Sequence, residues 1–203
     1  MSSCHTKHRS IRQALADQTR AAHEELHHHS WIGCLMSPTL TPDQYHRVLG
    51  AYLQFYRHIE SERDNLREFD NLNLRQAIKH LESDTAEREH VIDLSLTCSS
   101  VKLDTANTAL GALYVLHGAR FGAALINKQV SVTLPGISRQ FLQHSTPVAQ
   151  WRELISAIES LVTNDVAQRD LFSGADLTFT AFGKSVTEYC ESTNKHVAEQ
   201  ASF

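Results

Sequence analysis

The most apolar stretch of the chain runs from residue 110 to residue 126 without a proline, which is long enough for a buried helix. At about 100° per residue, its side chains separate into two stripes. A broad apolar stripe contains Leu110, Leu113, Tyr114, His117, Phe121, Ala124 and Leu125. Beside it lies a stripe of small residues, Gly111, Val115, Gly118 and Gly122. The pattern predicts a helix that is buried on two faces, one of which has almost no side chains.

The small-residue stripe calls for an explanation, because an interior glycine destabilises a helix by about 1 kcal/mol relative to alanine. Small residues four apart are typical of a helix whose backbone approaches another helix closely. They also leave room for a flat ligand against the bare backbone. On this stretch alone the two hypotheses carry similar weight.

The rest of the chain also has its apolar residues at helical spacing. A first helix is predicted over residues 10–28 with Ser10 as its N-cap, and a long helix over residues 42–69 after Thr41. The last helix is predicted to start at residue 165, and Gly174 in its middle predicts a kink or a break. Shorter helices are expected between these, over residues 74–81, over residues 85–94, through Phe141 and from Pro147 onward.

These elements predict a single all-α domain of about eight helices that spans residues 1–203. Residues 1–9 are expected to be a flexible lead, and residues 192–203 a loose tail. No internal repeat or second domain is visible in the sequence.

Composition excludes several classes of function. The net charge of −4 gives no general reason for nucleic-acid binding. The four cysteines form no Cys-x-x-Cys, so neither a zinc knuckle nor a disulfide framework is expected. We see no apolar leader and no stretch that approaches transmembrane length, which predicts a cytoplasmic protein that does not enter a membrane. Of the thirteen histidines, most are expected on the solvated surface, His46 and His80 among them.

Three groups of histidines are candidates for chemistry. His23 stands on the apolar face of the first helix, where an imidazole is either a satisfied core residue or a ligand to heme iron. Glu87 and His90 have the spacing of half a di-iron site, although one such motif in a charged segment is more typical of a solvated face. Residues 27–29 are three consecutive histidines, which either bind a metal or cluster at a helix end.

Three segments of the chain resemble heme oxygenases. Residues 19–24, Thr-Arg-Ala-Ala-His-Glu, are similar to the proximal segment of that family. Residues 112–122, Ala-Leu-Tyr-Val-Leu-His-Gly-Ala-Arg-Phe-Gly, resemble its distal helix, above all in the bacterial branch that produces biliverdin. Residues 175–182 resemble the last helix of that branch. The resemblance implies a multi-helical bundle that holds heme between the first helix and a kinked, glycine-bearing distal helix.

The resemblance also implies roles for the residues at matching positions. His23 would be the proximal ligand to heme iron. Gly118 and Gly122 would lie over the heme and let the distal helix approach it. The side chains implied as contacts of the heme propionates are Arg20, Tyr114 and Arg152.

Members of this family use heme as both cofactor and substrate. With dioxygen as co-substrate and electrons from a partner reductase or ferredoxin, they convert heme to biliverdin, carbon monoxide and iron. The resemblance therefore implies a heme oxygenase, and a photoreceptor that uses the bilin product is a further expected partner.

This chain departs from the family pattern at several positions of the implied site. His117 replaces a glutamate, Ala119 a serine or aspartate, and Ala123 a second glycine. His27 stands where a carboxylate usually orients the proximal ligand, and Ala16 where a basic residue is common. His117 is consequently a candidate sixth ligand to the iron.

Two other hypotheses stay beside the enzyme. The first is a heme-binding or heme-sensing protein on the same fold without turnover. The second is a helical protein with a different small-molecule or di-iron site.

Overall fold

The computed structural model describes residues 10–86 and 101–200, with the side chains of the last helix described as far as Thr193. Within these residues every regular element is helical, so the all-α prediction is confirmed. The motif of Glu87 and His90 lies outside the described residues, as does most of the helix predicted over residues 85–94. The α-helices are α1 (Ile11–Gln18), α2 (Arg20–His27), α3 (Ser30–Gly33), α4 (Pro42–Leu66), α5 (Arg75–Thr85), α6 (Ala106–Thr133), α7 (Gln140–Gln143), α8 (Val148–Leu161) and α9 (Asp165–Gln200), with 3₁₀ turns at Cys34–Met36 and Asp70–Leu72.

Side-chain caps fix the starts of the main helices. The Ser10 hydroxyl accepts the backbone N–H of Gln13 at 3.3 Å, which confirms the predicted N-cap of α1. Thr41 and Gln44 form a capping box at the start of α4, where a proline occupies the first helical position. Thr105 caps α6 in the same way. Each cap satisfies backbone N–H groups that have no partner inside the helix.

The predicted first helix is divided in two at Thr19, which has φ −86° and ψ −3°. The Thr19 side chain is buried, and its hydroxyl donates to the carbonyl of Leu15 at 2.9 Å. The Thr19 N–H still donates to the carbonyl of Leu15 at 3.0 Å and the His23 N–H to that of Thr19 at 2.9 Å, so the interruption is confined to this residue. The prediction of one unbroken helix over residues 10–28 is therefore wrong at this residue.

A buried ion pair joins α4 to the start of α5. Arg63 is only 1% exposed and donates two hydrogen bonds to the Glu60 carboxylate, at 2.8 and 3.1 Å. Glu60 also accepts the backbone N–H of Leu74 at 2.8 Å. Because both carboxylate oxygens and the guanidinium have partners, the desolvation of the two charges is offset by hydrogen bonds.

The backbones of α6 and α9 touch at two glycines. A Cβ atom on Gly111 would lie 2.2 Å from the carbonyl oxygen of Leu171, and one on Gly174 would lie 2.2 Å from that of Thr108. Neither distance is compatible with any side chain. The break considered at Gly174 does not occur, since α9 continues through it as one helix. This glycine serves close packing instead.

Burial along α6 is uneven. Its buried residues cluster in the first half, where Leu110 and Leu113 of the predicted apolar stripe are fully enclosed. The later members of that stripe are exposed, with Phe121 at 42% and Leu125 at 65%. The prediction that the whole stripe is buried therefore holds only for its first half.

Among the described residues, α6 is the one helix long and apolar enough to cross a membrane by length and composition. The expectation that no stretch approaches transmembrane length is therefore wrong for this helix. Of its most apolar window, 56% is buried inside the bundle, as in the core helix of a folded domain.

We expect Gly111→Ala to lower the free energy of unfolding by about 2 kcal/mol or more, because the new methyl group meets backbone atoms that cannot move aside. Gly122→Ala is the matched control on the same helix, since a Cβ there meets nothing within 4 Å. It should raise the stability by up to about 1 kcal/mol through helix propensity. Urea denaturation followed by circular dichroism measures both, and an equal effect of the two substitutions would contradict the packing argument.

Candidate functional site

An apolar cavity lies between α2 and α6. Its volume is about 180 Å³, it is open to solvent, and its lining is mostly apolar, as in small-molecule binding sites. Residues from α2, α3, α4, α6, α7 and α9 and from the 3₁₀ turn after α3 line it. The cavity therefore lies where the sequence predicted a ligand between the first helix and the glycine-bearing helix.

One face of α6 forms a wall of the cavity. The lining residues recur three or four apart, as expected for one side of a helix. At Gly122 this wall is bare, because an added Cβ would find no atom within 4 Å. Backbone can therefore approach a ligand closely at this point. The residues of this wall are Val115, Leu116, Ala119, Gly122, Ala123, Leu125 and Ile126.

Aromatic side chains from three other helices complete the lining. The hydroxyl of Tyr56 donates to the carbonyl of Leu116 at 3.1 Å, so the polar end of this ring is satisfied within the protein. The rings of Tyr52 and Phe182 lie 4.8 Å apart between centroids. These surfaces are flat and apolar, which suits a planar hydrophobic ligand. The aromatic lining residues are Tyr52, Tyr56, Phe141, Phe179 and Phe182.

Two histidines of α2 face this wall from the opposite side. His23 and His27 both line the cavity, and their ring centroids are 4.7 Å apart with the planes nearly perpendicular. The ring of Phe179 lies 6.2 Å from that of His23. His23 is therefore presented to the cavity, as the sequence predicted for a metal-binding imidazole.

The electrostatics favour a neutral imidazole at His23. Burial lowers the pKa of His23 from its ordinary value, and the neighbouring His27 lowers it further, while Glu24 raises it in part. The neutral ring is the form that binds a metal ion.

The sequence analysis missed one signal on this helix. Residues 23–27 are His-Glu-Glu-Leu-His, the His-Glu-x-x-His spacing that places two imidazoles on one helix face. His27 was considered only as part of a tract and as a departure from the family pattern. The histidines of the tract have different surroundings in the structure, because His27 lines the cavity and His29 does not.

His29 is a structural residue. Its Nδ1 accepts the N–H of Ile32 at 3.3 Å, so Nε2 carries the proton and donates to the carbonyl of Gly183 at 3.0 Å. Thr187 Oγ1 lies 2.9 Å from the same nitrogen. The ring thereby ties the turn after α2 to α9.

Gly118 and Tyr114 lie on another side of α6, against α8. A Cβ on Gly118 would be 3.7 Å from the Trp151 indole, and Tyr114 packs on that indole with ring centroids 5.4 Å apart. Phe121 contacts the same indole, at 5.3 Å. Arg152 follows Trp151 and is exposed. The structure does not bring these predicted site residues into the cavity lining.

His117 is also directed away from the cavity. It is 1% exposed, and its Nε2–H donates to the carbonyl of Leu72 at 2.9 Å. The hydroxyl of Thr146 donates to the His117 carbonyl at 2.8 Å and lies 3.4 Å from Nδ1. This geometry gives no support to the predicted contact with heme, because the ring is enclosed between α6 and the Asp70–Leu72 turn.

Arg20 lies on α2 one turn before His23, but it does not line the cavity. Its guanidinium is exposed and pairs with Asp17 on the preceding helix. It remains accessible to an anionic group at the surface.

Asp84 holds in place the segment that carries two cavity-lining residues, and the sequence analysis did not identify it. Its carboxylate is 1% exposed and accepts hydrogen bonds from the Ser138 hydroxyl at 2.6 Å and from the backbone N–H groups of Gln140 and Phe141 at 2.7 and 2.8 Å. These bonds fix the start of α7, whose Phe141 and Leu142 line the cavity. The partners are more than fifty residues away in the sequence, so no local pattern indicates them.

Comparison with known proteins gives a consistent result. A family model described as Heme oxygenase matches residues 9–188. The chain is similar to a heme oxygenase of known structure from Leptospira interrogans, with 17% identity and a TM-score of 0.65 over 89% of this chain and 100% of that one. It is also similar to a heme oxygenase-1 from the cyanobacterium Synechocystis solved in complex with heme, with 12% identity and a TM-score of 0.67 over 95% and 98% of the two chains. No curated protein matches the chain.

We expect the buried His117 to make stability depend on pH. Burial lowers its pKa from 6.5 to about 4, with a smaller contribution from Arg120 and an opposing one from the Leu72 carbonyl. In the unfolded chain this histidine therefore binds a proton as the pH falls through 6.5, whereas in the folded chain it stays neutral until the pH approaches 4. Stability should fall by about 2 kcal/mol between neutral pH and pH 5 from this residue alone, and stay level above about pH 7.5.

The comparison that isolates this effect is urea denaturation of the native chain and His117→Gln at pH 7 and pH 5. The free energy of unfolding of the native chain should exceed that of the variant by a smaller amount at pH 5 than at pH 7. A difference that does not change with pH would contradict the argument.

Proposed function

Because the chain belongs to the heme oxygenase family, we propose that it binds heme in the cavity between α2 and α6 and cleaves it oxidatively. The products would be biliverdin, carbon monoxide and iron, with dioxygen as co-substrate. Electrons would come from a partner reductase or ferredoxin, and we place the reaction in the cytoplasm. A bilin-using photoreceptor is a further proposed partner, as the user of the product.

The observation that carries the proposal is the pairing of His23 with Gly122 across one apolar cavity. A metalloporphyrin needs an imidazole on one face of its iron and a close, open surface on the other. Here the imidazole lines the cavity from α2, and the opposing wall at Gly122 has room where a side chain would stand. The flat aromatic lining fits the porphyrin plane.

Different residues of the chain would have different roles in the proposed reaction. His23 would hold the iron, and Ala119 and Gly122 would bring the α6 backbone close to the opposite face. When bound, heme would supply the activation of dioxygen and the carbon skeleton that is opened. The apolar lining would exclude bulk water, so that backbone dipoles of α6 act in a medium of low dielectric. Arg20, one turn from His23, is the proposed contact for a propionate.

Four other residues implied by the resemblance have no part in the proposed site in this geometry. Gly118, Tyr114 and Arg152 lie beside Trp151, and His117 is enclosed on another side of α6. We therefore propose that His23 would hold the iron and that His117 would not.

A second candidate function, heme binding without turnover, is favoured by one observation. The wall that α6 contributes to the cavity consists of Val115, Leu116, Ala119, Gly122, Ala123, Leu125 and Ile126, none of which has a polar side chain. Proton delivery to dioxygen on that side would depend on backbone groups and water alone. Activity with heme and an electron source distinguishes the two functions.

We expect His23→Ala to lose the Soret spectrum of histidine-ligated heme and to bind heme at least tenfold more weakly, because the axial base is gone. His28→Ala is the matched control, since this exposed histidine lies outside the cavity. Titration of heme into the native and variant proteins, followed by absorbance, measures both quantities. Because His27 lines the same cavity, the double variant His23→Ala/His27→Ala is included, and an unchanged Soret spectrum in it would refute heme binding at this site.

Turnover is tested on the native protein with bound heme and ascorbate in air. Loss of the Soret band together with the appearance of biliverdin absorbance and captured carbon monoxide is the expected result. A persistent Soret band without biliverdin would refute the enzyme and leave the binding protein.

We expect Ala119→Ser to raise the rate of biliverdin formation severalfold, because it adds a hydroxyl to a wall that has no polar side chain. Heme affinity should change little, since residue 119 is exposed and the added group is small. Ala124→Ser is the control, because residue 124 lies on the same helix and outside the cavity lining. Equal rates for both variants and the native protein would show that the missing hydroxyl is not what limits turnover.

A further inference from the structure

We infer that His23 and His27 together form a binding site for a divalent first-row transition-metal ion in the heme-free protein. The site shares His23 with the proposed heme site, so the inference rests in part on the proposed function. A metal ion held by both imidazoles and a heme ligated by His23 would exclude each other.

The distance between the rings fits a shared ion. Two imidazoles that bind one ion with bonds of about 2.0–2.1 Å, at angles from a right angle to tetrahedral, have ring centroids roughly 4.5–5.2 Å apart. The centroids of His23 and His27 are 4.7 Å apart in the structure. The spacing of four residues keeps both side chains on one face of α2, so the helix backbone holds the pair together before any ion binds.

Both rings are available as ligands. Neither forms a hydrogen bond with any residue in the ranges that the structure describes, in contrast to His29 and His117, whose nitrogens are engaged. Both also line the open cavity, so a hydrated ion can reach them.

The donor set points to a class of ion. Imidazole nitrogens suit zinc, copper, nickel, cobalt and ferrous iron better than magnesium or calcium, which prefer oxygen ligands. No group of three or more metal-ligating side chains occurs among the described residues, so water would fill the other positions. Ferrous iron, which the proposed reaction would release, belongs to this class.

The test is calorimetric titration of zinc chloride into the full-length, heme-free chain without an affinity tag. We expect a site with one ion per chain whose affinity falls tenfold or more in His27→Gln and in His23→Gln, because each removes one of two ligands. His28→Gln, on the next residue, should bind zinc as the native chain does. Circular dichroism establishes that each variant is folded.

A second measurement tests whether zinc and heme exclude each other from the protein. Zinc at ten times its dissociation constant should weaken the apparent heme affinity of the native chain about tenfold, as expected for competition at one residue. Zinc affinity that is the same in His27→Gln as in the native chain would overturn the inference, and so would zinc binding that leaves heme affinity unchanged. If the native chain binds zinc in the predicted pattern and binds no heme, the proposed function fails while the metal site stands.

Discussion

The contact between the backbones of α6 and α9 is the constraint on which the other features depend. Gly111 and Gly174 let the two helices touch without intervening side chains. With α6 held there, its next turns present Ala119 and Gly122 to a cavity that Phe179 and Phe182 of α9 also line. Two glycines on one helix thus have opposite roles. Gly111 allows the backbones of α6 and α9 to touch, whereas Gly122 leaves open space in the cavity. Any residue larger than glycine at the contact would move the wall of the cavity as well.

Periodicity within single segments could predict most of the helices, whereas the position of the cavity between the first helix and the glycine-bearing helix came from the resemblance to heme oxygenases. The sequence pattern also left two explanations for the small-residue stripe, close helix packing and a flat ligand. The structure supports the first at Gly111, places an aromatic ring against Gly118 and leaves open space at Gly122. A helical wheel could not assign these roles, because it shows the direction of a residue and not the element that lies in that direction.

The roles of the histidines were the hardest to predict. His46 was expected on the solvated surface but is buried, with its Nδ1 2.7 Å from the carbonyl of Pro42. His58 and His117 meet backbone carbonyls more than forty residues away, at Val101 and Leu72. Such partners leave no trace in local spacing. Only His23 was identified correctly as a residue that faces the cavity, because the apolar face of its own helix pointed to it.

The uneven burial of α6 has a mechanical consequence. The first half of the helix is enclosed by the core and fixed by α9, and Val130 near its end is fully buried, while Phe121 and Leu125 between them are exposed. Backbone amides should therefore exchange with solvent most slowly near residue 111 and faster around residues 121–125. The wall of the cavity includes this less buried stretch, so it can shift to admit a rigid, flat molecule while the buried parts of the helix keep their packing.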